Sequence, residues 1–323
     1  MSHMLQTLKV DAQPQAALIP FEIADLPEIA GASTSVIWVD ASDPTNEELR
    51  ALVAAFGWPE HVLDVLEDGE ARQRFLQMDE WSVISTVSPV GDGTGMIAIS
   101  GTRAITLRRN WGVDLADTAR DVVHWPDGSA GGIVVACVLL GHLVEAYEDA
   151  SGDLEERLVS QEATALNESS ARDLLPTLRE TAHLRGSVGD LRRRSNRLRE
   201  VLGAVIRQEL VDRTHGDAVD LDLRDIYDHL LRVHDDLDAY SDRLTAVQDT
   251  RLSLVAYKQN DIVRKISGWG AVLLIPTITT GWFGQNFVNL PLRDNPYGEY
   301  FSLGITLGAM ALAVAALRHA KWL

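Results

Sequence analysis

The spacing of apolar positions along the chain changes character three times. Residues 35–40, 81–87, 96–100 and 102–107 are short runs, β-branched and bounded by Gly, Pro or Asp, and that pattern predicts strands. Between the first two, residues 46–68 have helix-forming composition, broken at Gly57-Trp58-Pro59. Strands and helices interleaved over about residues 20–130 predict a sheet with helices packed on it. From Gly132 to Gln208 the pattern turns helical, free of proline apart from Pro176. After His215-Gly216, apolar residues recur as Leu223, Ile226, Leu230, Val233, Leu237, Tyr240, Leu244 and Val247. Steps of three and four sustained this long make the seam of a coiled coil or of a long packed helix. Nothing breaks the run before Gly268. Continued to Phe283, such a helix is about 90 Å long at 1.5 Å per residue.

Two apolar segments close the chain. Residues 268–287 carry no formal charge, and neither do residues 300–317. Each is near the length needed to cross a hydrocarbon core of roughly 30 Å. Trp269, Trp282, Tyr300 and Trp322 lie near their ends, as interfacial anchors do. Lys258, Arg264 and Lys265 precede the first segment, and Arg318 and Lys321 follow the second. The connection, residues 288–299, offers only Arg293 against Asp294 and Glu299. By the positive-inside rule both termini are expected in the cytoplasm of a multi-pass cell-membrane (inner or plasma membrane) protein. The competing reading is a buried helical hairpin inside a soluble protein. The expected organisation is an N-terminal α/β cytoplasmic domain over 1–130, a long-helix bundle and stalk over 131–267, and two transmembrane helices over 268–323. Two spans cannot enclose a pore, so conduction requires several copies around an axis.

Composition narrows the partners. A formal net charge of −18 over 323 residues argues against nucleic acid, which needs Lys and Arg to displace counterions, and it suits a cationic partner. The one cysteine, Cys137, can form neither an internal disulfide nor a thiolate zinc cage, and reads as a buried small hydrophobe. Met1-Ser2-His3-Met4 reads as a vector remnant, and no secretory leader is visible. No Gly-rich phosphate loop, nucleophile elbow or Ser/His/Asp arrangement is present, so neither an enzyme nor an ATP-driven pump is expected.

The chemistry concentrates in the first apolar segment, which holds Pro276, Gly281 and Gly284-Gln285-Asn286. Proline loosens the helical ladder, and glycines near the far end bring backbone carbonyls to a lumen. Carboxamides supply neutral oxygens. Mg²⁺ gives up its water reluctantly, so a ring of such oxygens binds the hydrated ion through its waters. Taken alone, Gly-Gln-Asn is equally a helix cap. Its place at the end of the first of two C-terminal spans is what gives it weight.

Phe283-Gly284-Gln285-Asn286-Phe287 resembles the aromatic-Gly-Met-Asn-Phe pattern that ends the first span of the CorA family of divalent-cation channels. Asn260, Arg264-Lys265, Pro276 and the ending Lys321-Trp322-Leu323 also resemble that family, as do the stretches 224–229 and 198–202. The resemblance is strong after residue 220 and weak before residue 60. It implies a funnel-shaped homopentamer in the lipid bilayer, passing Mg²⁺ passively into the cytoplasm. It also implies that Asn260, Ile266, Leu274, Thr277 and Gly281 line the pore, with Ile266 and Leu274 as its hydrophobic constriction. Gly284, Gln285 and Asn286 are then the selectivity mouth. Asp225 and Asp64 correspond to aspartates of neighbouring subunits that a regulatory Mg²⁺ bridges. Two departures stand out: Gln285 replaces the family's Met, and Leu290-Pro291-Leu292-Arg293 replaces an acidic stretch after the motif. They leave a zinc, cobalt or nickel transporter as the alternative. A membrane scaffold that conducts nothing is the reading from another class.

Other features read more plainly. Asp228, Asp235, Asp242 and Asp249 recur every seven residues, either as a cation-attracting ridge or as a solvated helix face. His229 and His234, five apart, do not share a helical face. Arg192-Arg193-Arg194 is a phosphate-binding candidate or, more simply, a helix surface paired with acids.

Overall fold

The structure is a computed structural model that describes residues 4–10, 18–31, 36–58, 73–78, 80–125, 131–167, 174–207, 216–285 and 296–322. Contacts divide the chain into two compact units, Met1–Asn167 with Asp173–Thr245, and Ala246–Leu323 with Glu168–Arg172.

The first unit is built on a seven-stranded sheet. Its strands are β1 (Met4–Val10), β2 (Ile19–Pro20), β3 (Val36–Ser42), β4 (Arg74–Met78), β5 (Trp81–Val87), β6 (Thr94–Ser100) and β7 (Arg103–Arg109), in the order β2-β1-β3-β7-β6-β5-β4. β3 and β7 pair in parallel, from Ile37↔Arg103 to Ser42↔Arg108, and the other pairs are antiparallel. β3 is buried along almost its whole length, which is why it reads as a continuous apolar run rather than an alternation. The four strands expected from sequence are present. β1, the two-residue β2 and β4 are additions. β1 pairs with β3 from Met4↔Ser42 to Val10↔Val36, so Met4, left out of the fold on sequence grounds, takes part in the sheet. β4, with Arg74 and Gln77 among five residues, is an edge strand too polar for the periodicity to mark.

Helices cover both faces. α1 (Leu26–Gly31) and α2 (Asn46–Phe56) bury Leu26, Ile29, Leu49, Leu52 and Phe56 against Ile37, Val39, Ile105 and Leu107. Thr45 caps α2, accepting from the Glu48 amide at 3.2 Å, while the Glu48 carboxylate accepts from the Thr45 amide at 2.6 Å. Gly57, at φ 67°, ends α2. On the opposite face lie α3 (Leu115–Val123), α4 (Gly132–Asn167), α5 (Leu174–Arg207) and the first part of α6 (Gly216–Phe283). The seam foreseen from spacing is real: Leu223, Leu230, Val233, Leu237 and Leu244 are all buried in one core with α4 and α5. Arg243 on α6 clasps Glu162 on α4 through two hydrogen bonds, of 2.9 and 2.8 Å. Cys137 is buried in α4, and burial pushes its thiol up to about 12, as expected of a small core hydrophobe.

One polar network crosses the sheet. Asp40 accepts from Thr106 at 2.6 Å and from Arg108 Nε at 3.1 and 3.2 Å, and Trp38 Nε1 donates to Thr106 at 3.1 Å. Burial pushes the Asp40 carboxyl up against the opposing pull of Arg108. The arrangement fixes Arg108 at the carboxyl ends of the parallel pair β3 and β7.

The second unit holds the remainder of α6 and α7 (Gly298–His319). Both helices are long and apolar enough to cross a membrane. Only 11% of the apolar window of α6 and 6% of that of α7 is buried within the chain, which disposes of the soluble-core hairpin.

Candidate functional site

α6 passes through its proline without ending. Pro276 has no amide to offer the carbonyl of Val272, yet the helix continues seven residues further. Threonine hydroxyls surround the weak point. Thr277 donates to Leu273 O at 3.2 Å, Thr279 to Ile275 O at 3.0 Å and Thr280 to Pro276 O at 2.6 Å. Each hydroxyl proton is spent on its own helix, which makes threonine tolerable in an apolar segment. The oxygen of exposed Thr277 keeps a lone pair for a water-borne donor.

The helix ends at the motif. Gly284 N donates to Thr280 O at 2.8 Å and Gln285 N to Trp282 O at 3.4 Å. A Cβ on residue 284 would lie 2.9 Å from Thr280 O, a contact only glycine avoids. The C-terminal end of a helix carries the negative pole of its dipole, and the exposed Gln285 stands at that end. Asn286 lies outside the described residues.

Placement around α6 separates two faces. At about 100° per residue, Ile266, Leu274, Thr277, Gly281 and Gly284 fall within an arc of about 80°, with Asn260 about 40° beyond Leu274. All six are exposed, Ile266 at 67% and Leu274 at 55%. The buried and half-buried positions Gly268, Val272, Ile275, Pro276, Thr279 and Phe283 centre about 160° away by the same rule. That second face meets α7, where Thr306 Oγ1 lies 2.9 Å from Thr279 Oγ1. The candidate lining residues therefore share one face, turned away from the neighbouring helix of their own chain. Exposure alone does not single them out, since Leu273 and Ile278 are as exposed. The Thr279–Thr306 contact escaped the sequence reading; its one signal is a pair of small polar residues in apolar segments.

The candidate aspartates are less complete. Asp225 is exposed on α6, with His229 Nε2 3.5 Å away, and His229 Nδ1 meets Glu148 of α4 at 2.7 Å. Burial and the charge of Asp225 raise the carboxyl of neighbouring Asp222. Asp64 lies outside the described residues. Among the described residues no three His, Cys, Asp or Glu side chains are grouped to hold a metal ion. Asp228, Asp235, Asp242 and Asp249 are all exposed, as a solvated face requires.

Known proteins resemble this chain. A cobalt/magnesium transport protein CorA of Methanocaldococcus jannaschii is 23% identical over 311 residues, 92% of this chain and 95% of that one. A zinc transport protein ZntB of Pectobacterium atrosepticum is 28% identical over 298 residues, 88% of each chain. The match to the CorA of Thermotoga maritima, 25% identical over 185 residues, spans about half of that protein's length (52%). The complete structure of the Methanocaldococcus jannaschii CorA magnesium transporter superposes with a TM-score of 0.78 at 20% identity, covering 100% of this chain and 99% of the other, so the fold is shared from end to end. Residues 33–319 match the CorA-like Mg²⁺ transporter protein family, and with a sheet-based unit, a 68-residue helix and two apolar C-terminal helices in place, the chain belongs to that family of divalent-cation transporters.

Proposed function

We propose that the chain is a passive Mg²⁺ channel that works as a homopentamer in the cell membrane, with both termini in the cytoplasm. The observation that carries this reading is the division of α6. The arc bearing Ile266, Leu274, Thr277 and Gly281 is exposed and faces away from α7, and it runs to the helix terminus at Gly284-Gln285. Among the described residues of one chain this arc has no partner, and further copies around an axis bring identical arcs together. The hydrated ion meets Gln285 and Asn286 at the mouth, bound through its waters rather than stripped of them. Deeper in, Leu274 and Ile266 form an apolar constriction that stops conduction by excluding water. Mg²⁺ bridging Asp225 and Asp64 across subunit interfaces would favour the closed state, since two carboxylates brought together repel until a cation joins them.

Purified protein in liposomes is expected to admit Mg²⁺ without nucleotide, and Asn286→Ala to abolish most of that flux. Undiminished flux in the variant would show that the mouth is elsewhere. Asp225→Lys is expected to weaken closure at high internal Mg²⁺; inhibition identical to wild type removes the regulatory role. A panel over Mg²⁺, Co²⁺, Ni²⁺ and Zn²⁺ decides the cargo, and a preference for one of the last three would replace Mg²⁺ in the reading. Silence toward every divalent ion would leave a scaffold.

A further inference from the structure

The arginine triplet 192–194 has a role the transport reading does not absorb. Arg192 points to Asp238 on α6, at 2.6 Å. Arg193 and Arg194 instead line a cavity of about 810 Å³, within the roughly 300–1,000 Å³ of small-molecule sites. The cavity lies wholly in the first unit, at the carboxyl ends of β3 and β7. Ligands of α/β sheets bind outside the carboxyl ends of parallel strands.

Its lining is unusual for a chain of net charge −18. Arg74, Arg108, Arg109, Arg193, Arg194 and Arg197 converge there against Asp43, Asp92 and Asp190. Three of the six have structural ties. Arg108 is held by Asp40, Arg194 Nη1 donates to Ser88 O at 2.7 Å, and Arg193 pairs with Asp190. Arg74, Arg109 and Arg197 make no ion pair among the described residues. One neutral donor in the lining is also unspent: Ser85 Oγ is buried without a hydrogen-bond partner among the described residues. Like charges gathered around a concavity repel unless an anion joins them, and a buried polar atom left unpaired is costly. Leu49, Met96 and Leu107 add an apolar wall to the lining, Met96 lying directly beside Ser85 in the strand register.

We propose that this cavity binds a phosphate anion of several charges, a nucleoside triphosphate or an inorganic polyphosphate. Guanidinium groups match phosphate oxygens two at a time, so Arg74, Arg109 and Arg197 supply the free forks and Ser85 a hydroxyl donor. Arg108 and Arg194, fixed by Asp40 and Ser88, give the site a rigid base.

The test is equilibrium binding to the full chain in detergent, with EDTA present, using ATP, tripolyphosphate and inorganic phosphate as probes. ATP or tripolyphosphate is expected to bind once per chain, far more tightly than inorganic phosphate and less tightly as salt rises. Arg74→Ala with Arg197→Ala is expected to weaken binding at least tenfold. Arg74→Lys with Arg197→Lys, which keeps the charge and loses the fork, should fall between. Arg192→Ala, outside the cavity, should change nothing. ATP bound more tightly than tripolyphosphate assigns the apolar wall to the base; equal affinity assigns the site to the phosphate chain alone. The proposal is overturned if none of the three probes binds, or if the alanine and lysine double variants both bind as wild type does. Loss of binding in Arg192→Ala equal to that in the double variants overturns it as well.

Discussion

The hydroxyl pair between α6 and α7 allows a numerical test of how the second unit is held together. Thr306 is the buried residue of α7, 8% exposed. Its hydroxyl lies 2.9 Å from Thr279 Oγ1 and 2.8 Å from Ser302 O. Thr279 in turn reaches Ile275 O at 3.0 Å. A hydroxyl has one proton, so Thr279 gives its proton to Ile275 and Thr306 divides its own between Thr279 and Ser302. Thr279→Val therefore removes an acceptor that Thr306 replaces by turning fully to Ser302. Thr306→Val leaves the Thr279 proton where it was. Neither single change strands a donor, so each costs about 0.5 kcal/mol, near the average of about 0.6 for polar pairs between membrane helices.

The double variant has no hydroxyl pair left to lose beyond the first change. The coupling in a double-mutant cycle is then about 0.5 kcal/mol, a factor of about 2.3 in the equilibrium. Unfolding equilibria of the four proteins in mixed micelles measure it. Additive single effects would mean that the contact does not form. A coupling beyond about 1.7 kcal/mol, the largest seen for such pairs, would mean that the proton count above is wrong. Thr306→Leu tests the packing separately: an enlarged side chain at a closed contact is expected to cost about 1–3 kcal/mol.

Two predictions concern the first unit. Hydrogen bonds from Arg243 hold the Glu162 carboxyl below its ordinary range, so the stability this pair adds is present above that range and is lost as pH falls through the lowered value. With both side chains about a third exposed the pair contributes at most about 1 kcal/mol, and Arg243→Met should erase that acid-side loss in thermal unfolding followed from pH 7 to pH 3. Leu230→Ala opens a void in the α4–α5–α6 core and is expected to cost about 2–5 kcal/mol. A loss below 1 kcal/mol in denaturant unfolding would contradict the burial of that seam.

Long-range periodicity made the helical half of the molecule legible in the sequence. Leu223 to Leu244 repeat at helical spacing because one face of α6 is buried along its length, and the uncharged segments must be uncharged to lie in lipid. The sheet was half legible. β3 and β7 announce themselves because burial on both faces demands β-branched residues. β1 and β4 do not, since Gln6, or Arg74 and Gln77, are tolerated where a strand has a free side or a free edge. The arginine cavity was invisible for another reason. Arg74, Arg108 and Arg194 come from β4, β7 and α5, and only the topology brings them together. Of the candidate channel residues, helical arithmetic places five on one arc; the direction of that arc relative to α7 follows from the Thr279–Thr306 contact, which no spacing reveals.

That direction is itself testable. The native Cys137 is buried and its thiol pushed up to about 12, so it stays silent to charged thiol reagents and the natural chain serves as background. Single cysteines at Leu274, Thr277 and Gly281 place a thiol on the arc assigned to water; cysteines at Val272, Ile275 and Thr279 place one on the face turned to α7. Thiolate is the reacting species, and it forms where water reaches. In liposomes the first three are expected to react and the second three to remain unlabelled. Leu274→Cys should react more slowly than Gly281→Cys if Leu274 forms the proposed constriction, which excludes water when closed. The pattern should repeat at about 3.6 residues. Uniform labelling around the helix would mean that no protected face exists in the membrane. Labelling confined to residues 272, 275 and 279 would mean that water runs between α6 and α7, and the axis of the channel would then lie on the opposite side of α6.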